Sequence, residues 1–431
     1  MAKKKQALSP EERLAAALVP EKEQPYELPE GWKWVRLNGL ADIIMGQSPR
    51  GFDTTDDSSY TPLIGGAADM GAKELTPHKY TKAVTKLSRK NDLVLCIRAT
   101  LGRPVVSDGE YCLGRGVAGI RTIAGTVDWI RYYLIQSEPY LYEHATGSTF
   151  LQVTGKVLSD MPVPYPSVSE QQRLVARIES LFAKLDAAKD KVQSVLDSHE
   201  TRKAALLHDA FAGKLTAKWR DGQSTMISSW KPISFEDCIE KMQNGLSKRR
   251  GDAGEYVNVL RLTNIAPEGL SFQDMRKILL TSDEKEKYKL APEDVLMVRV
   301  NGSKDNVGKQ LYIDKKDADN QLTFCDHLIR IHYNEQLVAP QFMVYFSHTM
   351  QYKSYVEKNM VSSAGQNTIS RKGMKNLSLM LPSLPEQQAI VRILDRLLAR
   401  EQRARQTAEE TLTAIERMKQ AILARAFRGE L

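Results

Sequence analysis

One long segment occurs twice in the chain, and this internal duplication limits the fold more than any other feature of the sequence. Residues 169–182 read SEQQRLVARIESLF and residues 385–398 read PEQQAIVRILDRLL, an offset of 216 residues (385 minus 169). At the same offset AFAGKL (210–215) falls on AFRGEL (426–431), and no gap is needed between the two matches. Upstream, NDLVLCIR (91–98) resembles EDVLMVR (293–299). The chain is therefore predicted to hold two similar domains, each followed by the same closing segment.

Both copies of the closing segment predict a long helix with a heptad stripe of apolar residues. Ser169 is the predicted N-cap, with Gln172 three residues later, and Gly213 stands where a glycine commonly ends a helix. About 44 residues at about 1.5 Å each give a helix of roughly 66 Å. The predicted helix-pairing residues are Leu174, Ile178, Leu181, Leu185, Val192 and Val195 in the first copy and Ile390, Leu394, Leu397, Ile415, Met418 and Ile422 in the second.

Two arrangements of these helices fit the pattern. In one, each helix only covers its own domain. In the other, the helices pair, because small residues such as Ala188, Ala404 and Ala408 give each stripe too little apolar surface to stand alone. The duplication favours pairing. The predicted fold class is α+β, with two globular α/β domains separated by two long antiparallel coiled-coil helices about a pseudo-two-fold axis.

The predicted domain boundaries follow from this pattern. Strand-like runs such as LVLCIRA and VLMVRV alternate with turns in both domains, and helices are predicted at 128–144 and 339–358. A short helix from Ser9 to Val19 follows the basic residues Lys3–Lys5. The segments are a tail and short helix (1–27), a first domain (28–166), a central long helix (167–215), a linker (216–227), a second domain (228–382) and a C-terminal long helix (383–431).

Length and charge agree with two domains and a polyanionic partner. A chain of 431 residues exceeds the roughly 250–300 residues at which single cores stop growing. Its 61 Lys and Arg against 53 Asp and Glu leave a net charge of +8. No apolar run approaches the roughly 18 residues of a membrane span, and the four cysteines form no CxxC pair, so we expect a cytoplasmic protein.

The sequence contains no catalytic motif that we can identify. It lacks a Walker loop, an Asn-Pro-Pro-aromatic motif, a GxSxG elbow and an HExxH helix. Cys325, His327 and His332 are three mismatched ligands without a second cluster, so no metal site is predicted. Asp305 and the stretch Asp314–Lys316 imitate a nuclease cluster, but they lie in a polar segment typical of a solvated turn. We expect no catalytic residue and no cofactor in this chain.

Polar and basic loops occur at matching places in both halves. One loop is predicted to follow the first helical piece of each domain, and the other follows a strand. Lys and Arg neutralise phosphates, and Gln, Asn, Ser and Arg read base edges, so these loops suit DNA; the alternative is that they are exposed turns. The predicted DNA-binding residues are Gln47, Ser48, Arg50, Arg98 and Arg103 in the first half and Ser247, Lys248, Arg249, Arg250, Arg299, Asn301, Lys304 and Lys309 in the second.

The duplicated SEQQ-type helix starts, the AFxGxL helix ends and LPEGWKWVRL followed by GQSPRG resemble the specificity subunit of type I restriction-modification systems. The resemblance covers nearly the whole chain. It implies two target-recognition domains that each read half of a split double-stranded DNA target, and helices that fix the gap and dock two methyltransferase subunits. Through these, restriction and translocase subunits would join. S-adenosylmethionine, ATP and Mg are implied as cofactors of the partners. The first copy departs from the pattern by continuing as AFAGKLTAKWR, where a linker is needed.

Two other classes of function also fit the sequence. One is the specificity subunit of a combined, type II-like enzyme whose partner carries both methylation and cleavage. The other is a coiled-coil scaffold that binds protein, which predicts an affinity indifferent to salt and DNA sequence.

Overall fold

Two α+β units make up the part of the chain that the computed structural model describes, residues 9–147, 150–266 and 269–431. Unit 1 comprises Met1–Gln193 with Glu410–Leu431, and unit 2 comprises Ser194–Glu409. The basic residues Lys3–Lys5 lie outside the described residues. No helix in the described part of the chain is long and apolar enough to cross a membrane.

The described residues of unit 1 form three sheets and six helices, together with the C-terminal part of the last long helix, whose range is given below. Its strands are β1 (Lys33–Arg36), β2 (Ala41–Met45), β3 (Thr54–Thr55), β4 (Thr61–Ile64), β5 (Lys79–Thr81), β6 (Leu93–Arg98), β7 (Thr100–Val106), β8 (Cys112–Leu113), β9 (Val117–Thr122) and β10 (Pro162–Tyr165). Its helices are α1 (Pro10–Ala16), α2 (Leu37–Leu40), α3 (Val127–Gln136), α4 (Glu138–Glu143), α5 (Gly155–Asp160) and α6 (Val168–Asp197), of which the last four residues belong to unit 2.

The main sheet of unit 1 is antiparallel, with strand order β2–β9–β6–β7. A second sheet has the order β3–β5–β4–β8, and a third pairs β1 with β10. Strand β6 is central and its first five residues are buried, which explains its unbroken apolar run. In the core beside this sheet, the ring centroids of Trp129 and Phe427 are 4.5 Å apart.

Unit 2 repeats this plan with additional strands. Its strands are β11 (Lys231–Ser234), β12 (Ile239–Asn244), β13 (Glu255–Leu260), β14 (Ile265–Ala266), β15 (Gly269–Leu270), β16 (Arg276–Leu280), β17 (Val295–Val298), β18 (Val300–Asn301), β19 (Gln310–Tyr312), β20 (Leu322–Phe324), β21 (Leu328–Tyr333), β22 (Val361–Ser363), β23 (Gln366–Thr368) and β24 (Ser378–Leu381). The order β12–β21–β17–β19 matches the main sheet of unit 1, and β11 pairs with β24 as β1 pairs with β10.

The helices of unit 2 include parts of both long closing segments. They are α7 (His199–Phe211), α8 (Ala217–Gly222), α9 (Ser282–Tyr288), α10 (Lys315–Ala318), α11 (Pro340–Ser347), α12 (Met350–Asn359), α13 (Arg371–Met374) and α14 (Leu384–Phe427). Helix α14 is one element of 44 residues that belongs to unit 2 up to residue 409 and to unit 1 beyond it. The predicted helices at 128–144 and 339–358 are confirmed, each as two shorter helices.

The long helices pair antiparallel within each unit, as predicted. In unit 1, Lys189 Nζ donates to Glu416 Oε1 at 2.7 Å, and Lys419 Nζ donates to Asp186 Oδ1 at 2.5 Å. The partner numbers run in opposite directions, which only an antiparallel pair allows. In unit 2, α7 and α14 are joined by Arg202 Nε and Glu401 Oε2 at 2.8 Å. The predicted α+β class with an internal repeat is confirmed.

Both arrangements considered for the apolar stripes occur, each along a different stretch. Leu174 and Ile178 are buried in the domain core of unit 1, and Ile390 and Leu394 are buried in that of unit 2. Ile415 is buried further along α14, whereas Leu181, Leu185, Val192, Leu397 and Ile422 are half-buried. Val195 and Met418, also predicted to pair the helices, are 37% and 52% exposed, so they bury less apolar surface than the other predicted positions. The next residue, Lys419, crosses to the other helix, where its Nζ lies 5.5 Å from the Phe182 ring centroid.

Three further expectations need correction. Helix α6 begins at Val168, and Ser167 rather than Ser169 caps it, with its Oγ accepting from Glu170 N at 3.3 Å. The central helix is divided at Ser198 into α6 and α7, although the backbone bonds from Ser198 N to Ser194 O and from Arg202 N to Ser198 O remain, at 3.2 and 3.0 Å. Ser198 Oγ donates to the same Ser194 carbonyl at 2.6 Å. The first short helix ends at Ala16, before the predicted Val19.

The duplicated Glu-Gln-Gln motif contains a buried glutamine that fastens each long helix to its domain. Gln171 and Gln387 are fully buried, and the Nε2 of each donates to the carbonyl oxygen five residues earlier, at 3.0 and 2.9 Å. Their Oε1 atoms accept from the backbone N–H of Thr126 and Ala339, at 2.9 and 2.8 Å. These two residues stand at the N-caps of α3 and α11, so the same contact recurs in both copies.

Candidate nucleic-acid interface

The first predicted loop of unit 1 follows strand β2, not a helical piece as expected. Two hydrogen bonds fix the loop to residues 113–115: Gln47 N donates to Leu113 O at 2.8 Å, and Ser48 Oγ accepts from Arg115 N at 3.1 Å. Gly46 is required there, since a Cβ would lie 2.1 Å from Gly114 O. The side chains of Gln47, Ser48 and Arg50 are exposed.

The second predicted loop of unit 1 comprises the tight turn between β6 and β7 and the first residues of β7, which include Arg103. Arg98 ends β6, and its Nε and Nη2 donate to Gln152 Oε1 at 3.1 and 2.8 Å. Arg103 has a φ of +57° and its guanidinium reaches Met70 O at 3.5 Å. Both arginines are exposed, and Arg98 is held by a neutral partner that leaves its charge uncompensated.

The first predicted loop of unit 2 occupies the same place, after strand β12. Leu246 N donates to Phe324 O at 2.9 Å, and a Cβ on Gly245 would lie 2.2 Å from Cys325 O. Ser247, Arg249 and Arg250 are exposed. Lys248 is half-buried and pairs with Glu284, with Nζ to oxygen distances of 2.8 and 3.1 Å. Its charge is therefore less available to a ligand than those of Arg249 and Arg250.

The second predicted loop of unit 2 runs from Arg299 to Lys309, and the structure separates its residues. Asn301 Oδ1 accepts from Ser303 N at 2.8 Å, which shapes the turn, and Lys304 is exposed on it. Lys309 is half-buried instead, where burial and the ammonium groups of Lys203 and Lys353 lower its pKa. Lys309 therefore lies near Lys203 and Lys353, apart from the exposed Lys304.

A cavity of about 200 Å³ in unit 2 is lined by residues of the first loop and by basic residues that the sequence did not point to. Ser247, Lys248 and Arg249 line it together with Arg261, Arg276 and His327. The Nε of Arg261 is buried without a hydrogen-bond partner, and its Nη2 donates to Asp274 O at 2.5 Å. Arg261 follows β13, Arg276 begins β16 and His327 lies between β20 and β21, so the pairing of β13 with β16 and β20 brings them to the loop.

The trio Cys325, His327 and His332 does not assemble. Cys325 Sγ lies 3.8 Å from His327 Nδ1, whereas His332 Nδ1 lies 3.6 Å from Asp294 Oδ1. Among the described residues, Asp326 completes a group of three ligand atoms with Cys325 and His327, all within 4.8 Å of one another. Burial raises the pKa of the Cys325 thiol, which opposes the thiolate that a metal needs.

The nuclease-like residues are also accounted for. Asp314 caps helix α10, since its Oδ1 accepts from Asp317 N at 2.7 Å. Asp305 is exposed on a short 3-10 turn, as expected for a solvated loop.

Comparison with known proteins places both units in one family. The profile described as type I restriction modification DNA specificity domain matches residues 29–196 and again 241–412. The chain is 34% identical over 427 residues to the type I restriction enzyme StySPI specificity subunit of Salmonella potsdam, covering 94% of this chain and 90% of that protein. It is 29% identical over 429 residues to the EcoKI specificity subunit of Escherichia coli K12, with the same coverage.

Two solved structures share the fold. One is a chain from a study of complex assembly and conformational transition of the type I R-M system, with a TM-score of 0.72 at 19% identity, covering 94% of this chain and 100% of that one. The other is the HsdS subunit from Thermoanaerobacter tengcongensis, with a TM-score of 0.58 at 18% identity, covering 95% and 100%.

Proposed function

This chain belongs to the family of type I restriction-modification DNA specificity subunits, and from that premise we propose that it is the DNA-reading, non-catalytic subunit of such a complex. Each unit reads one half of a bipartite double-stranded target. The paired long helices dock two methyltransferase subunits, which in turn recruit the restriction and translocase subunits. S-adenosylmethionine, ATP and Mg are bound by those partner subunits. The complex acts on DNA in the cytoplasm.

The observation that supports this proposal most directly is the repetition of the first loop. Gly46 and Gly245 each follow the edge strand of the main sheet and pack against backbone carbonyl oxygens. Beyond each glycine the chain presents exposed polar or basic side chains, Gln47 and Arg50 in one unit and Arg249 and Arg250 in the other. Two similar surfaces with different side chains suit a protein that reads two different half-sites.

Salt dependence tests whether DNA is the partner. The chain, assembled with its methyltransferase subunits, should bind one bipartite site with an affinity that falls steeply as salt rises, because phosphate contacts release counterions. The chain alone should transfer no methyl group. An affinity indifferent to salt and sequence would instead support the protein scaffold. A partner that both methylates and cuts would identify the combined, type II-like enzyme.

Substitution of the loops tests which residues read DNA. Replacing Lys248, Arg249 and Arg250 together by Ala should weaken binding through unit 2, and replacing Gln47, Ser48 and Arg50 should affect unit 1. The loss of a base contact lowers the discrimination against wrong bases in one half-site by about 1–3 kcal/mol per bidentate pair. The loss of phosphate contacts lowers the affinity for all DNA sequences by the same amount.

The control for the unit 2 variant removes the same charge elsewhere. Lys231, Lys358 and Lys372 are exposed in unit 2, and their triple Ala variant should bind almost as the wild type does. Equal losses in the two triple variants would show that net charge, not the loop, carries the effect. Unchanged affinity and target in both loop variants would show that the loops are ordinary turns.

A further inference from the structure

Two exposed aromatic rings stand beside the first loop of unit 1, each next to a cation. Phe52 is 76% exposed, and the Arg50 guanidinium carbon lies 5.9 Å from its ring centroid. Tyr60 is 40% exposed, and Lys82 Nζ lies 5.3 Å from its ring centroid. A single exposed apolar side chain is common on a protein surface. Two rings held beside cations on one small sheet are a more specific arrangement.

The backbone fixes both pairs to strands β3 and β5. Asp53 N donates to Arg50 O at 3.0 Å in a 3-10 turn, and Lys82 N donates to Asp53 O at 2.9 Å. Residue Thr54 pairs with Thr81 in the same sheet. The turn that carries Phe52 is therefore connected directly to Lys82, the residue that follows β5.

The chemistry of this surface matches the edge of a base pair. Among the four bases only thymine presents a methyl group in the major groove, and apolar side chains recognise it by contact. Arginine is the common partner of guanine, and lysine and arginine neutralise phosphates. An exposed ring beside a cation can bury apolar surface on a methyl group while the adjacent charge remains near the DNA.

We propose that Phe52 is a specificity-determining residue that contacts a thymine methyl group in the half-site read by unit 1. Arg50, held beside the ring, contacts the adjoining base pair or phosphate. This inference rests on the proposed function. Phe52 directly follows the loop GQSPRG of unit 1, whereas Asp252 directly follows the corresponding loop GLSKRRG of unit 2, so the proposal concerns unit 1 alone.

Replacing thymine by uracil removes only the methyl group and gives a direct test. The wild-type chain, assembled with its methyltransferase subunits, is titrated with duplexes in which each thymine of the target is replaced singly. One replacement in the unit 1 half-site should weaken binding by about fourfold, the effect of one buried methyl group. With Phe52→Ala, binding to the thymine duplex should weaken, and that same replacement should cause no further loss.

The controls separate this inference from the proposed function. Phe272 is an exposed phenylalanine of unit 2, and Phe272→Ala should keep the wild-type uracil sensitivity. Phe52→Leu should retain part of it, because leucine still offers apolar surface. If Phe52→Ala leaves the sensitivity of every position unchanged, Phe52 does not read the methyl group, although bipartite binding stands. If the wild-type complex binds no bipartite site, the proposed function itself fails.

Discussion

Arg220 donates a hydrogen bond of 2.5 Å to the carboxylate of Glu386, and both side chains are buried in unit 2. Glu386 also accepts from Thr216 Oγ1 at 2.8 Å and from Trp230 Nε1 at 3.0 Å. Arg220 lies on α8, in the segment predicted to be only a linker between domains. The start of α14 is therefore fastened to that segment by a satisfied buried ion pair.

Removal of the cation should destabilise unit 2 strongly. Arg220→Ala leaves the Glu386 charge buried without its main partner, a change that costs about 3–5 kcal/mol. Calorimetric unfolding should show a lower Tm for the transition that hydrogen exchange assigns to unit 2. Replacing both partners by apolar residues, Arg220→Met with Glu386→Leu, should recover part of the loss, because no unpaired charge remains.

The duplication provides the control for this variant. Glu170 is the repeat equivalent of Glu386, but it pairs with Arg173 on the surface of α6. Arg173→Ala should change the Tm little, because water replaces the lost partner. Equal effects of Arg173→Ala and Arg220→Ala would contradict the role assigned to burial.

A second prediction concerns the two glutamines of each repeated motif. Gln171→Ala leaves the Thr126 N–H and the Pro166 carbonyl without their partner, at about 1–3 kcal/mol for each group that stays unsatisfied. The next residue, Gln172, is exposed, so Gln172→Ala should unfold as the wild type does. Thermal unfolding of the two variants compares them directly. A Tm loss shared by both would mean that helix propensity, not the buried contact, is responsible.

The sequence was sufficient to predict the duplication and the helix pairing, because both follow from spacing along the chain. It could also mark Gln171 and Gln387 as equivalent. It could not show what they bind, since Thr126 and Ala339 lie 45 and 48 residues upstream. The contact between Glu386 and Arg220 could not be predicted for the same reason. The sequence of residues 216–227 does not distinguish a linker from a helix that contributes a buried arginine.

The loops were predictable in place but not in detail. Side-chain type suggested that Lys309 and Lys304 act together, yet tertiary packing turns Lys309 toward Lys203 and Lys353. The sequence did not point to Phe52, because a single apolar residue in a polar loop forms no periodic pattern. The contact between its ring and Arg50 depends on the 3-10 turn, which the sequence did not predict. Ser198 divides the central helix into α6 and α7 although the heptad spacing continues through it.

The pH dependence of stability should report on His348. Burial lowers its pKa to about 4, with further lowering by Lys203, Lys353 and Lys309, and the same cavity contains His199, Asp395 and Glu401. The unfolded chain, with a His pKa of about 6.5, binds the proton first. The stability contributed by neutral His348 is therefore complete above about pH 6.5 and is lost as the pH falls toward 4.

The variant His348→Gln cannot take up this proton. Its Tm should fall less than that of the wild type between about pH 6.5 and pH 4. The corresponding difference in the free energy of unfolding is a few kcal/mol at most, on the order set by the pKa shift. His144, which is exposed in unit 1, gives the control, and His144→Gln should follow the wild-type curve. Parallel Tm curves for the wild type and His348→Gln would show that this histidine does not titrate as described.

The final prediction concerns the long helices, which the proposed function makes a measure of the distance between half-sites. Ser198 lies between two antiparallel contacts, Lys189 with Glu416 in unit 1 and Arg202 with Glu401 in unit 2. Four helix-forming residues inserted after Ser198, with four more in α14 after residue 406, leave both contacts within their own unit. Insertion in α6–α7 alone is the control, because it gives the paired helices unequal lengths.

Four residues add about 6 Å of helix and rotate the part of the helix beyond the insertion by roughly 40°. Base pairs stack about 3.4 Å apart, so helices that run along the DNA should lengthen the unread spacer by one or two base pairs, and tilted helices should give the smaller increase. Both half-site sequences should survive, because neither set of loops is altered.

Methylated sites are mapped across a genome that carries the double insertion with its partner subunits. The single insertion should lower methylation overall without a new uniform spacing. If the double insertion kept the original spacer, or changed the half-site bases at constant spacing, helix length would not set the distance between the half-sites.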